Sequence, residues 1–160
     1  MNINNKNNGM LLESLIDLSI EKYAQFDLAL ISKNYVPIKF KHTQQKNLYQ
    51  GQIISKAIVD YSGIYNGKFI AFDAKSTVLN EFYTKNIKKH QHEYLLRANA
   101  LKGICFYIIA FLNQQKFFIV NVKNISLSKS KYSIEEIKKI GKTISLVLPG
   151  YLDFLSKIDK

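Results

Sequence analysis

Apolar residues fall at Leu11, Leu12, Leu15, Leu18, Ile20, Tyr23 and Phe26, close to helical spacing, while Glu13, Asp17 and Glu21 recur every four residues on another face. The pattern predicts a helix over residues 10–26. The polar start, residues 1–8, is expected to be disordered. Leu28 to Ser32 reads as a short buried strand. Asn34 to Gly51 has no period and mixes Pro37, Lys39, Lys41, His42 and Lys46 with three glutamines. Such a segment has little to bury, so it is expected to leave the body as an extended basic arm used for binding, or else to be a plain polar loop. Ile53 to Val59 leads into a hairpin, whose second strand holds Phe69, Ile70 and Phe72. Thr84 to Leu101 reads as a second helix with Ile87, Tyr94, Leu95, Ala98 and Leu101 inward, stopped by Gly103. Gly103 to Phe111 is almost wholly apolar, as a strand covered on both faces would be. Asn113 to Gln115 turns it back into a strand over residues 117–122. Ser133 with Glu136 three residues later predicts a capped short helix ending near Gly141. After Pro149-Gly150, Tyr151 to Ile158 is expected to be a terminal helix. The order of elements implies one α/β domain over residues 1–160, a mixed β-sheet flanked by helices.

The hairpin carries the first chemical signal. Asn66-Gly67 suits a two-residue type I′ turn, in which both central residues need positive φ. With Tyr65 opposite Lys68, Asp60 faces Asp73, and Lys75 leaves the same face two residues on. Directly opposed carboxylates repel and weaken a hairpin. A divalent ion such as Mg²⁺, which prefers hard oxygen ligands, would convert that repulsion into binding. The plainer alternative is an exposed hairpin on which two acids happen to align. A bulge at Ser62-Gly63 would shift the register.

Composition sharpens this picture. The net charge is +11, which favours a polyanionic partner, although an Asn-, Ile- and Lys-rich composition contributes to it. The charge is uneven: residues 33–102 hold twelve Lys and Arg against four acids. Between Lys33 and Asn80 the only acids are Asp60 and Asp73. Two isolated carboxylates inside the most basic segment fit a metal site within a phosphate-binding surface. The single cysteine, Cys105, lies in an apolar run and reads as a buried thiol. No apolar run approaches the ~20 residues that span a bilayer. The start has no secretory signal, so a cytoplasmic protein is expected. Helical neighbours two apart diverge, so His90 and His92 are not expected to share a metal.

Asp60, Asp73 and Lys75 form D-x12-D-x-K, which resembles the PD-(D/E)xK nucleases. Further blocks narrow the likeness. Gly9 to Glu13 resembles the end of an RG-x-x-[LF]-E signature, and Asp60 to Gly67 resembles DY-x-G-x-Y-x-G. Phe72 to Thr77 resembles FEAK-x-T. Ile87 to Leu95 resembles I-x-x-HQ-x-x-[HY]-L, and Gly103 to Phe111 resembles GI-x-F-x-I-x-F. In this order, over roughly residues 8–122, the blocks resemble the RecU family of Holliday-junction resolvases.

The resemblance implies a restriction-endonuclease-like fold and a dimeric endonuclease, dependent on Mg²⁺ with Mn²⁺ as a substitute, that cuts four-way DNA junctions in recombination and repair. Recombination proteins would be further partners, and no membrane is involved. It implies Asp60 and Asp73 as metal acids, with the Ala74 carbonyl beside them. Lys75 matches the motif lysine and Gln91 a glutamine of the active site. Glu13 matches a helix-one glutamate that reaches a second metal or a metal-bound water. Residues 34–51 match in position a stalk that enters the junction centre, with Pro37-Ile38 at its base. Lys39, Lys41, Lys46, Lys56, Lys85, Lys88 and Lys89 are expected to contact DNA, the helical lysines as a phosphate-facing stripe. The chain departs from the pattern in having Asp73 for the usual Glu, one methylene shorter. It has Asn8 for the arginine, and a shorter arm without arginine. A second class of function stays open, a non-catalytic binder of branched DNA or structured RNA on the same fold, as does a nuclease of this fold with another substrate.

Overall fold

The computed structural model describes residues 3–36, 38–42, 49–53 and 58–158. The chain begins with helix α1 (Ile3–Gln25), strand β1 (Ala29–Lys33) and the pair β2 (Ile38–His42) and β3 (Tyr49–Ile53). Next come β4 (Tyr61–Tyr65), β5 (Lys68–Thr77), β6 (Glu81–Tyr83), helix α2 (Lys89–Ala100), β7 (Ile104–Phe111) and β8 (Lys116–Asn121). The remainder is β9 (Lys131–Ser133), α3 (Ile134–Ile140), β10 (Lys142–Ile144), β11 (Leu146–Val147) and β12 (Tyr151–Leu152).

Six strands form the central sheet in the order β1-β4-β5-β7-β8-β10. All neighbours are antiparallel except β5 and β7, which run parallel with Asp73 beside Tyr107. The β4–β5 hairpin has the expected register, Tyr65 opposite Lys68 and Tyr61 opposite Phe72, with no bulge. Its turn residues Asn66 and Gly67 have φ of 49° and 71°, as a type I′ turn requires. Gly63 lets β1 approach: a Cβ there would lie 2.0 Å from the Leu30 carbonyl oxygen.

Alternation along β5 and β7 sorts the core into two layers. Ile70, Phe72, Phe106 and Ile108 face α1 and the C-terminal segment, where they meet Leu12, Ile16, Ile20 and Phe154. Tyr61, Phe72 and Phe106 stack there at centroid spacings of 4.9 and 4.8 Å. Ala71, Tyr107, Ile109 and Phe111 face α2 and α3, against Leu95, Phe82 and Ile137. All of β7 beyond Ile104 is buried, as its apolar run predicted. Ser133 and Glu136 form the expected capping box on α3.

Several elements differ from the sequence reading. Helix α1 begins at Ile3, so residues 3–8 are helical backbone rather than disordered. A nucleated helix adds residues at little cost even where Asn is a poor helix former. Its buried stripe is Leu12, Ile16, Ile20 and Tyr23, while Leu11, Leu18 and Phe26 are exposed. Strand β1 is an edge strand with Leu30 65% exposed, not a fully buried one. The basic arm is a two-stranded antiparallel ribbon, β2 paired with β3, and it reaches Ile53. The predicted helix from Thr84 is a single 3₁₀ turn over Thr84–Asn86 followed by extended backbone at Ile87 and Lys88, with α2 starting at Lys89. Leu101, expected inward, is exposed.

The expected terminal helix is instead β12 followed by a 3₁₀ turn over Leu155–Lys157. Tertiary hydrogen bonds hold that segment against α1. The Tyr23 hydroxyl donates to the Leu152 carbonyl at 2.9 Å and accepts from the Phe154 and Leu155 amides at 3.0 and 3.3 Å. The Leu152 amide donates to Ser19 Oγ at 2.8 Å. These partners replace intrahelical ones. No helix among the described residues is long and apolar enough to cross a membrane.

Candidate active site

Asp60 immediately precedes β4, and Asp73 lies in the middle of β5. The hairpin register brings them together on the α2 side of the sheet. The two carboxylates are interlocked through each other's backbone: the Asp60 amide donates to Asp73 Oδ1 and the Ala74 amide to Asp60 Oδ2, both at 3.2 Å. Lys75 Nζ lies 2.5 Å from Asp73 Oδ2, 3.3 Å from the Ala74 carbonyl oxygen and 3.5 Å from Asp60 Oδ2. Gln91, in the first turn of α2, directs Nε2 to Asp60 Oδ1 at 3.4 Å. The Asn34 amide donates to the Asp60 carbonyl at 2.8 Å and fixes the approach to β4.

The two acids have unlike environments. Asp73 is 0% exposed, and Asp60 keeps a third of its side chain in solvent. Burial pushes the Asp73 carboxyl up to about 6; Lys75 opposes the rise and the Asp60 charge reinforces it. Burial also acts to raise Asp60. The Lys75 charge and the hydrogen bonds from Asp73, the Ala74 amide and Gln91 outweigh it and hold Asp60 below the ordinary carboxylate range. Asp60 is therefore the ionised member of the pair and Asp73 the one reluctant to ionise.

The donor set is chemically suited to a hard cation: two carboxylates and the Ala74 carbonyl, all oxygen. Gln91 Oε1 adds a buried acceptor without a partner in a side chain only 1% exposed. Among the described residues no three His, Cys, Asp or Glu side chains converge. Further positions around a cation would go to water or substrate oxygens.

A protein-family profile described as Recombination protein U matches residues 7–160. The chain belongs to the RecU family. Among its curated relatives, "Holliday junction resolvase RecU" of Mycoplasmopsis pulmonis is 45% identical over 152 residues, covering 94% of this chain and 92% of that one. The protein of the same description from Ureaplasma parvum is 33% identical over 164 residues, covering 98% and 95%. Among solved structures, the Holliday junction resolvase Hjc of Archaeoglobus fulgidus superposes with a TM-score of 0.52 over 83% of this chain and 93% of that one. At 13% identity that likeness is one of fold, and it places the mixed sheet in the nuclease fold.

Against the residues named from the RecU resemblance, the fold brings Asp60, Asp73, Ala74, Lys75 and Gln91 together. Glu13 is not part of that network: its carboxylate takes Lys33 Nζ at 2.9 Å. Lys33 also reaches Asp17 at 3.5 Å, and Asp17 accepts from the Tyr61 hydroxyl at 3.1 Å. Lys39 and Lys41 lie in β2, and Lys39 is exposed. Lys46 and Lys56 lie outside the described residues. Lys85 sits in the 3₁₀ turn with Nζ 5.3 Å from the Tyr83 ring centroid, Lys88 occupies the N-cap position of α2 without a side-chain cap bond, and Lys89 opens the helix with Glu93 at 3.7 Å. Lys85 lines a cavity with Ala74 and Lys75, and the three lysines do not form a stripe on one helix. Sequence reasoning missed a buried polar pair that adjoins Asp73 through one member. Tyr107 is the register partner of Asp73 on β7, and His92 Nδ1 bonds the Tyr107 hydroxyl at 2.8 Å. An i, i+2 alternation count along β7 places Tyr107 on the Asp73 face, but only the parallel register identifies it as a neighbour.

Proposed function

We propose that this chain is a metal-dependent endonuclease that resolves four-way DNA junctions, with Asp60, Asp73, Lys75 and Gln91 at the centre of the reaction. The observation that carries the reading is the convergence of two carboxylates and one ammonium on one face of the β4–β5 hairpin, inside a strongly basic segment. The names of its RecU relatives support the junction as substrate.

Asp60, Asp73 and the Ala74 carbonyl would hold the cation, Mg²⁺ or in its place Mn²⁺. Such an ion, when bound, neutralises charge at the scissile phosphate and makes a water it holds more acidic. The protein's own groups do the rest. The Lys75 ammonium, held between both acids, orients the attacking water and offsets charge as it develops on the phosphoryl oxygens. The Gln91 amide is neutral, so it positions: Nε2 steadies Asp60, and the free Oε1 accepts a hydrogen bond from the water. The site stands at the edge of α2, where Lys85, Lys88 and Lys89 offer sequence-independent, salt-sensitive contacts to the backbone. The β2–β3 ribbon, with Lys39 and Lys41, would serve as the stalk. Two opposed cuts in a junction require two sites, which a symmetric homodimer supplies. Recombination proteins would be its further partners.

The test is cleavage of a synthetic four-way junction with Mg²⁺, comparing wild type with Asp73→Ala. The wild type should yield paired nicks. The variant should lose on the order of 10²–10³-fold or more, as when one preorganised transition-state stabiliser is removed. Tight junction binding without Mg²⁺-dependent product in the wild type would favour a non-catalytic branched-DNA binder. Equal cutting of linear duplex would favour a nuclease of different specificity.

A further inference from the structure

The first turn of α2 carries Gln91, yet the usual devices for fixing a helix start are missing from it. Its N-cap is Lys88, which makes no side-chain cap hydrogen bond, and the first turn contains no acid. In α3, by contrast, Ser133 and Glu136 bond each other's backbone amides. An uncapped first turn is free to fray. Gln91 is nonetheless buried, with its Nε2 at the long distance of 3.4 Å from Asp60 and its Oε1 unpartnered. Its placement must come from elsewhere.

The contact that reaches this turn from the sheet is His92 against Tyr107. The two rings stack with centroids 6.0 Å apart and planes 15° from parallel, and the hydroxyl lies 2.8 Å from Nδ1. Tyr107 is fully buried on β7, beside Asp73 on β5. His92 follows Gln91 directly and is buried as well. We propose that the His92–Tyr107 hydrogen bond is a positioning device, which pins the first turn of α2 to the strand beside Asp73 and thereby sets where the Gln91 amide stands over the carboxylates. Neither residue touches the reacting atoms in this role. The consequence for cleavage rests on the nuclease reading above; the consequence for Gln91 does not.

Burial disfavours the charged imidazole, so His92 is neutral near pH 7, and its Nδ1 shares one hydrogen bond with the tyrosine hydroxyl, the donor being set by the tautomer. Removing the hydroxyl leaves that nitrogen buried and without a partner. The turn then gains freedom, and Gln91 populates other rotamers.

Tyr107→Phe tests this in the full chain. Its junction Kd, measured in Ca²⁺ or without metal, should stay within twofold of wild type while single-turnover kcat falls about tenfold. The Gln91 side-chain amide resonances in a ¹⁵N-labelled, metal-free sample should shift or broaden. His92→Ala should reproduce the loss, and Tyr107→Phe with His92→Ala should be no worse than either alone. His92→Asn keeps a hydrogen-bonding amide near the Nδ1 position and should recover most of the rate. A general loss of packing would lower binding and folding cooperativity together, and Asn would not rescue it. Unchanged Gln91 resonances and unchanged kcat in Tyr107→Phe would overturn the proposal, as would additive losses in the double variant. If the wild type itself cuts nothing, the nuclease reading falls, and the Gln91 resonances alone decide the positioning claim.

Discussion

Asp73→Asn should make the metal-free protein more stable while destroying its chemistry. Asp73 is wholly buried. Burial, with Asp60 adding to it and Lys75 opposing, lifts its carboxyl from the ordinary 3.8 to about 6. A carboxyl raised in the folded state favours folding most when protonated in both states, below 3.8, and that contribution is lost as pH rises through 6. One pKa unit is about 1.4 kcal/mol, so the loss is on the order of 2–3 kcal/mol by pH 8. Asparagine stands in for the protonated acid and cannot ionise. At pH 8 in chelator, the variant should therefore be about 2–3 kcal/mol more stable, roughly 5–10 °C in Tm for a chain of this size. At pH 4 the difference should shrink to about 0.5 kcal/mol. Mg²⁺ at ten times its Kd should return about 1.4 kcal/mol to the wild type and less to the variant. Thermal unfolding followed by circular dichroism from pH 4 to 8, with and without Mg²⁺, reads all three. A variant that melts below the wild type at pH 8, or a difference that does not depend on pH, refutes the reasoning.

Other consequences are more local. Tyr23→Phe removes one donor, leaves the Leu155 amide buried without an acceptor and leaves the Phe154 amide only the Leu152 carbonyl, so urea unfolding should show a loss of about 1–3 kcal/mol; a change under 0.5 kcal/mol would mean that the C-terminal segment is held by packing alone. Gly63→Ala places a methyl group against the Leu30 carbonyl and should detach β1 from β4, seen as faster amide exchange at residues 29–33 and a loss of roughly 2 kcal/mol or more. Replacing Lys85, Lys88 and Lys89 together by Ala should weaken binding to junctions of any sequence alike and flatten the salt dependence of log K by up to about 3, as expected for three phosphate contacts; an undiminished slope would place the DNA elsewhere.

The acid pair was legible because it depends on local rules. Asn66-Gly67 names its own turn type, the turn sets the register, and the register places Asp60, Asp73 and Lys75 on one face. The capping box of α3 was legible for the same reason. Features that depend on distant partners were not. Nothing near residues 151–158 announces that Tyr23, over 120 positions earlier, takes the amides a helix would have used. The helix expected from Thr84 fails where the Thr84 hydroxyl and amide bond the 129–130 carbonyls instead. Tyr107 hides in an apolar run, since its neighbour on β5 is set by a parallel pairing that no turn encodes. The arm's composition signalled exposure but not conformation, because its pairing as a ribbon lies in backbone bonds.

The hairpin turn has a consequence for how the chain can be disabled. Asn66 and Gly67 lie six residues from the acids along each strand, about 20 Å away. A deletion or insertion in that loop would slide β4 against β5 by one position and turn one carboxylate into the opposite layer. The tip of the hairpin thus acts as a remote ruler, and a lesion that touches neither DNA nor ion could silence the enzyme from the far end of the sheet.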